Sequence, residues 1–224
     1  MKLYMHPGAC SLSPHIVCHE IGIAVDLVEV NRQSHRTSAG EDFYSINGNG
    51  YVPILELDGG DRMMEGPAIV QYLADLRPQA GLLPPPGTLA RSRVQSLLNF
   101  VTAELHKPMA MLMMPAYAPV REALAGHVAK RLDWLSGAVA SDYLTGASFT
   151  VADAYLFVCL NWTPWTGIDL ARWPVLVAFM ARVGGRPAVQ AALAAEGLVP
   201  HGEGLFYAPL AMLQASGRKV ATRR

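Results

Sequence analysis

Cysteine is scarce: Cys10, Cys18 and Cys159 are the only three in 224 residues. An odd count leaves at least one thiol without an intrachain partner, and no Cys-x-x-Cys or Cys/His ligand spacing occurs. A disulfide scaffold and a zinc ribbon are thereby excluded. Charge of one sign is missing too, since 18 Lys plus Arg balance 18 Asp plus Glu. The basic excess that neutralises a nucleic-acid backbone is therefore absent. The one basic cluster, Arg218, Lys219, Arg223 and Arg224, reads as a solvated tail. Long apolar runs are also lacking. Pro7 and Gly8 interrupt the opening segment before it reaches signal-peptide length. Nothing approaches the ~18 apolar residues of a membrane span, despite a mean hydropathy of +0.22. These absences lead to the expectation of a cytoplasmic protein with no metal, membrane or nucleic-acid partner.

What is present is apolar content: 51% of residues are hydrophobic and only 16% charged, which excludes a disordered chain. The pattern changes along the length. Residues 1–78 alternate short apolar runs with helical spacing. Lys2 to Met5 and Val25 to Val30 read as strands around a helix from Ser11 to Glu20. Ile54 to Asp58 and Arg62 to Met64 flank a Gly59-Gly60 turn, and a helix follows to Leu76. Residues 79–87 are a linker, because Pro84-Pro85-Pro86 cannot continue a helix. From 88 to 199 the periodicity is helical. Helices are expected at 89–106, with a kink at Pro108, and at 119–140, 151–166, 174–183 and 187–195. Residues 200–224 form a C-terminal extension, read as a packing strap or as a cover over a binding site or a neighbouring subunit. Thr150-Val-Ala-Asp153 fits a capping box, which gives Asp153 a structural role.

Four places combine chemistry with exposed backbone. Pro7-Gly-Ala-Cys-Ser11 puts a thiol and a hydroxyl where the first helix begins. The helix field there either lowers the Cys10 pKa or holds a bound anion; alternatively Ser11 or Ser13 only caps the helix and Cys10 is packed. Tyr51-Val-Pro53 precedes the third strand, where a cis proline would turn the Val52 backbone towards a peptide-like ligand. Glu65-Gly-Pro-Ala68 sets a carboxylate beside free helix-start amides, a combination that suits an α-amino acid head group or simply compensates the helix dipole. Asn99 and His106 lie two helical turns apart on one expected face, and the imidazole suits proton or hydrogen-bond donation.

Taken together these stretches resemble the glutathione transferases, most closely the bacterial beta class. The resemblance runs in order through Pro7 to His15, Gly50 to Pro53, Glu65 to Tyr72, Leu98 to Phe100, Glu104 to Lys107, Thr150 to Asp153 and Arg182 to Arg186. It implies an α/β thioredoxin-like N-terminal domain with a cis Pro53, an all-α C-terminal domain and a homodimer. It also implies glutathione as co-substrate. Val52 would pair with the cysteinyl part, Glu65 and Gly66 would hold the γ-glutamyl head group, and Cys10 and Ser11 would lie near the sulfur. His106 and Lys107 would approach from the helical domain, and Asn99 and Glu104 would reach the site from the partner subunit. His35 and Arg36 stand where lysines are common and would meet the glycyl carboxylate. Met5, His6, Met64 and Ala103 depart from the family pattern at or near the sulfur and hydrogen-bonding positions.

The resulting expectation is an enzyme that presents the glutathione thiolate to an apolar electrophile in the cleft between domains. Met113, Tyr117, Trp162 and Trp165 would form an adaptable wall, or else belong to the helical core. Cys10 leaves thiol–disulfide exchange open beside conjugation. The rival from another class is a non-catalytic glutathione-binding carrier or interaction module on the same fold.

Overall fold

A computed structural model describes residues 1–139 and 141–221; Arg223 and Arg224 of the basic cluster lie outside them. The chain divides into two compact units, one formed by residues 1–80 and 187–224 and the other by residues 81–186.

In the first unit β1 (Lys2–Met5), β2 (Asp26–Glu29), β3 (Ile54–Glu56) and β4 (Arg62–Met64) make a sheet in the order β2-β1-β3-β4. The β1–β2 pair is parallel, joined by the crossover helix α1 (Leu12–Glu20), whereas β3 runs antiparallel to β1 and β4. A parallel pair needs such a crossover, so the strand–helix–strand order of the sequence already dictates it. Leu3, Leu55, Leu12, Ile16, Ile69 and Leu73 are fully buried. The last two come from α2 (Gly66–Leu76), which packs beside α1. Tyr4, Val30, Phe43 and Ile54 form a cluster against which Val52 packs.

The second unit contains α3 (Leu89–Phe100), α4 (Lys107–Leu112), α5 (Arg121–Ala138), α6 (Val151–Leu160), α7 (Thr163–Thr166) and α8 (Pro174–Gly184). Every residue of α6 is buried, which explains its lack of an apolar stripe: a helix surrounded by others is hydrophobic all round. The capping box is formed. The Asp153 carboxylate accepts from the Thr150 amide at 2.8 Å and from the Leu144 amide at 2.8 Å.

Three expected features of this half take a more detailed form. The disturbance expected at Pro108 is a π-helical turn over Val101–His106, just before the proline, where the Lys107 amide donates to the Thr102 carbonyl. Pro108 has no amide to donate to Glu104, the usual i−4 acceptor, and its ring crowds that carbonyl. The segment 151–166 is two helices rather than one, broken at Asn161–Trp162, with Pro164 in the first turn of α7. The helix expected from about 119 begins at Arg121, preceded by a 3₁₀ stretch over Pro115–Val120.

Residues 187–199, expected with the helical half, fall in the first unit, where α9 (Pro187–Ala195) packs on α1. The extension carries strands that the sequence reading did not anticipate. β5 (Leu198–His201) and β6 (Phe206–Pro209) pair as an antiparallel hairpin, followed by α10 (Leu210–Ala215). Its turn needs positive φ at Gly202, Glu203 and Gly204, a conformation that two glycines tolerate.

Candidate functional site

In the first unit the candidate residues gather on loops at one end of the sheet, where β1 feeds α1, the chain enters β3, and β4 feeds α2. The Val52–Pro53 bond is cis. Cys10, intermediate in exposure, donates its thiol hydrogen to the Val52 carbonyl at 3.3 Å. Among the described residues the Val52 amide makes no hydrogen bond, so one peptide partner position stays open beside the thiol. Burial pushes the Cys10 pKa up to about 12, outweighing the Cys10 and Ser11 amides and the Arg32 charge, which act the other way. The expectation that the helix field lowers this pKa is therefore corrected, because desolvation of the thiolate exceeds the dipole's help.

Ser11 is fully buried; its hydroxyl accepts from the His6 amide at 3.2 Å and donates to the His6 carbonyl at 3.3 Å. It braces the turn before α1 and does not cap the helix. Glu65 is exposed and has φ +70°, ψ 113° directly before α2. A non-glycine residue there costs of order 1–3 kcal/mol. Gly66 is buried, at the first turn of α2, with Pro53 Cγ and Ser13 Oγ 3.9 Å from where a Cβ would stand. His35 also has positive φ, +50°, stacks on Tyr44 with ring centroids 4.7 Å apart, and keeps a buried Nδ1 without a partner.

In the second unit His106 ends the π-helical turn and its Nδ1 hydrogen-bonds the Tyr155 hydroxyl. Its ring also lies 5.1 Å from that of Trp162. Burial, with a smaller contribution from the Lys107 charge, lowers its pKa to about 4, so the imidazole is neutral at physiological pH. Asn99 is exposed whereas His106 is half-buried. The shared face expected of them assumed α-helical spacing, which the intervening wide turn does not keep. Glu104 is held by Arg131 and, at 3.2 Å, by His127, and the Arg131 bond first, then its charge, lowers its pKa. Lys107 is exposed. Trp162 is buried, while Met113, Tyr117 and Trp165 are intermediate.

Two contributors had no sequence signal. Arg32 lies close enough to Cys10 and His6 for its charge to lower both pKa values. Glu196 is buried, accepts from the Gly8 amide at 2.9 Å and pairs with His15 Nδ1 at 2.9 Å. Burial raises its pKa while His15 and the Gly8 amide oppose that. Its partners are 181 and 188 residues away in the chain, a distance no local pattern spans. Among the described residues there is no group of three or more His, Cys, Asp or Glu placed to hold a metal ion.

A thioredoxin-like unit with a cis-proline loop before β3, joined in sequence to a helical unit, defines a class, and similarity to known proteins gives the family. The glutathione S-transferase N-terminal domain matches residues 8–76 and the C-terminal domain matches residues 100–187. The chain belongs to the glutathione S-transferase family and is a transferase. It is 40% identical over 203 residues to glutathione S-transferase GstA of Escherichia coli O157:H7, covering 88% of this chain and all of the relative. Among solved structures, a ternary complex of BphK, a bacterial GST, is 48% identical with TM-score 0.87, covering 88% of this chain and 100% of its own. A sphingomonad glutathione S-transferase complexed with glutathione is 44% identical with TM-score 0.84, covering 88% and 99%.

Proposed function

We propose that the protein binds glutathione on its first unit and transfers the glutathione thiolate to an apolar electrophile. The observation that carries this reading is Glu65, held at φ +70° beside the start of α2. A carboxylate and helix-start amides together suit the ammonium and carboxylate of a γ-glutamyl head group. Gly66 lets the ligand approach that turn closely. The open Val52 amide pairs with the cysteinyl residue, and Val52 O is freed for it when Cys10 turns its S–H towards the incoming sulfur. Pro53 shapes that loop. His35, with Arg36 next to it, meets the glycyl carboxylate.

The reaction balances simply. Glutathione loses its thiol proton to solvent, the thiolate attacks the electrophilic carbon, a C–S bond forms, and the leaving group departs with the electron pair. Cys10 and Ser11 act as neutral groups, Cys10 as a hydrogen-bond donor and Ser11 as a brace for the turn. His106 contributes a neutral imidazole, a donor rather than a cation, oriented by Tyr155. Lys107 supplies positive charge, and Met113, Tyr117, Trp162 and Trp165 are assigned to the electrophile. Asn99 and Glu104 are assigned to a homodimer in which they serve the partner's glutathione. Detoxification in the cytoplasm accords with this chemistry; no helix among the described residues is long and apolar enough to cross a membrane.

Thiol–disulfide exchange through Cys10 is the second reading, favoured by the residue's partial exposure and opposed by a pKa of about 12. The carrier alternative predicts binding without turnover. Calorimetry with glutathione, followed by a conjugation assay with an activated aryl chloride, tests all three. Saturable binding with C–S product formation is expected; binding without product favours the carrier, and no binding removes the reading.

A further inference from the structure

The loop bearing Cys10 is gripped from a distant part of the chain. Gly8, two residues before the thiol, donates its amide to Glu196 Oε2 at 2.9 Å. Leu198 Cδ2 lies 3.5 Å from where a Gly8 Cβ would stand. Gly197, with φ +66°, turns the chain between these two contacts. Leu198 is buried and begins β5, which is fixed in turn by β6 through the register Leu198↔Pro209 to His201↔Phe206. β6 is anchored to α9, since Gln190 Nε2 donates to the Tyr207 hydroxyl at 3.2 Å. A further strand-like contact closes the other edge of β5, where the Ala221 amide donates to Pro200 O at 2.8 Å. This hairpin lies beyond residue 187, where the match to the C-terminal domain ends.

A loop held by hydrogen bonds alone opens more readily than one also packed against a buried side chain, because local opening then exposes apolar surface as well. We propose that the extension is a strap whose Leu198 is a positioning residue: by packing on Gly8 it fixes the Cys10 loop, and with it the place of the glutathione sulfur. The proposal rests on the reading that this loop borders the glutathione thiol.

The test compares full-length Leu198→Ala and Leu198→Met with the unsubstituted protein. One arm follows iodoacetamide alkylation of Cys10 by peptide mass spectrometry without glutathione. The other arm measures KM and kcat for glutathione. Leu198→Ala is expected to speed alkylation by about fivefold or more and to raise the KM for glutathione, and Leu198→Met to restore both. Unchanged alkylation overturns the proposal even if the melting temperature falls, and so does faster alkylation with an unchanged KM. Should Leu198→Ala fail to fold, Tyr207→Phe removes the hydroxyl that receives Gln190; the same two changes, smaller in size, are expected and their absence is equally fatal. Failure of the underlying reading is distinct: the unsubstituted protein then shows no saturable glutathione binding.

Discussion

Cys10 donates its thiol hydrogen to the carbonyl of Val52 across 3.3 Å, so the one partly exposed thiol of the described chain sits on the backbone group assigned to the glutathione peptide. Burial pushes its pKa up to about 12, so Cys10 is a neutral thiol at pH 7, more fully protonated than an ordinary thiol. The residue is thus a poor nucleophile and a serviceable donor. Cys10→Ala is expected to keep kcat/KM for conjugation within about tenfold, the scale of one lost hydrogen bond. Steady-state kinetics of the variant check this, and a loss of several orders of magnitude would assign the chemistry to Cys10 itself.

Glu65 separates binding from stability. Glu65→Gly removes the carboxylate and relieves a backbone that glycine adopts freely. The glutathione Kd is expected to rise about 10–100-fold, the worth of a charge-assisted hydrogen bond. The melting temperature is expected to stay at or above that of the parent, as strain relief offsets glycine's added chain entropy. Calorimetry and thermal denaturation on the same sample decide it.

How much of this was legible beforehand follows the range of the interactions. The β1–α1–β2 order, the capping box at Thr150 and Asp153 and the helix 187–195 rest on neighbouring residues, and the sequence reading places them closely. The π-helical turn at Val101–His106 escaped because one proline signals that a helix is disturbed and not where the disturbance settles. Glu196 and the β5–β6 hairpin escaped because their meaning is tertiary: Glu196 reads as the end of an alanine-rich helix until His15 and Gly8 are folded against it. Arg32 reads as one more surface cation until the loop brings its charge near the thiol. The Cys10 pKa was ambiguous for a related reason, since dipole and burial oppose each other and only coordinates give the burial.

His106 gives a pH prediction for activity. Its pKa of about 4 keeps it neutral throughout pH 5.5–8, so it contributes no acid limb to kcat in that window. His106→Asn is expected to lower kcat without moving the pH profile. Tyr155→Phe, which removes the hydroxyl that orients Nδ1, is expected to lower kcat in the same direction. A limb near pH 6 that vanishes in His106→Asn contradicts the neutral assignment.

Stability responds to pH through the same group and through His201, whose pKa burial also lowers to about 4. Between about pH 6.5 and 4 the unfolded chain takes up protons that these folded imidazoles refuse, so folding stability is full above that window and lost as pH falls through it. The melting temperature is expected to drop from pH 7 to pH 5, and less steeply in His201→Gln. Equal slopes for the two proteins would show that His201 is not protected from protonation.

Asp153 anchors the centre of the helical unit. Asp153→Ala leaves the buried Leu144 and Thr150 amides without their acceptor, which is expected to cost about 2–4 kcal/mol. Urea denaturation measures it; a loss below 1 kcal/mol would mean that solvent reaches those amides.

The most direct measurement is the ionisation of glutathione bound to Cys10→Ala, followed by ultraviolet thiolate absorbance as pH is raised. The protein is expected to bind the tripeptide and to lower its thiol pKa below the free value of about 8.5, with no cysteine present at position 10 to account for the signal. Absence of a thiolate band, or a bound thiol that titrates no earlier than the free one, would contradict the assignment.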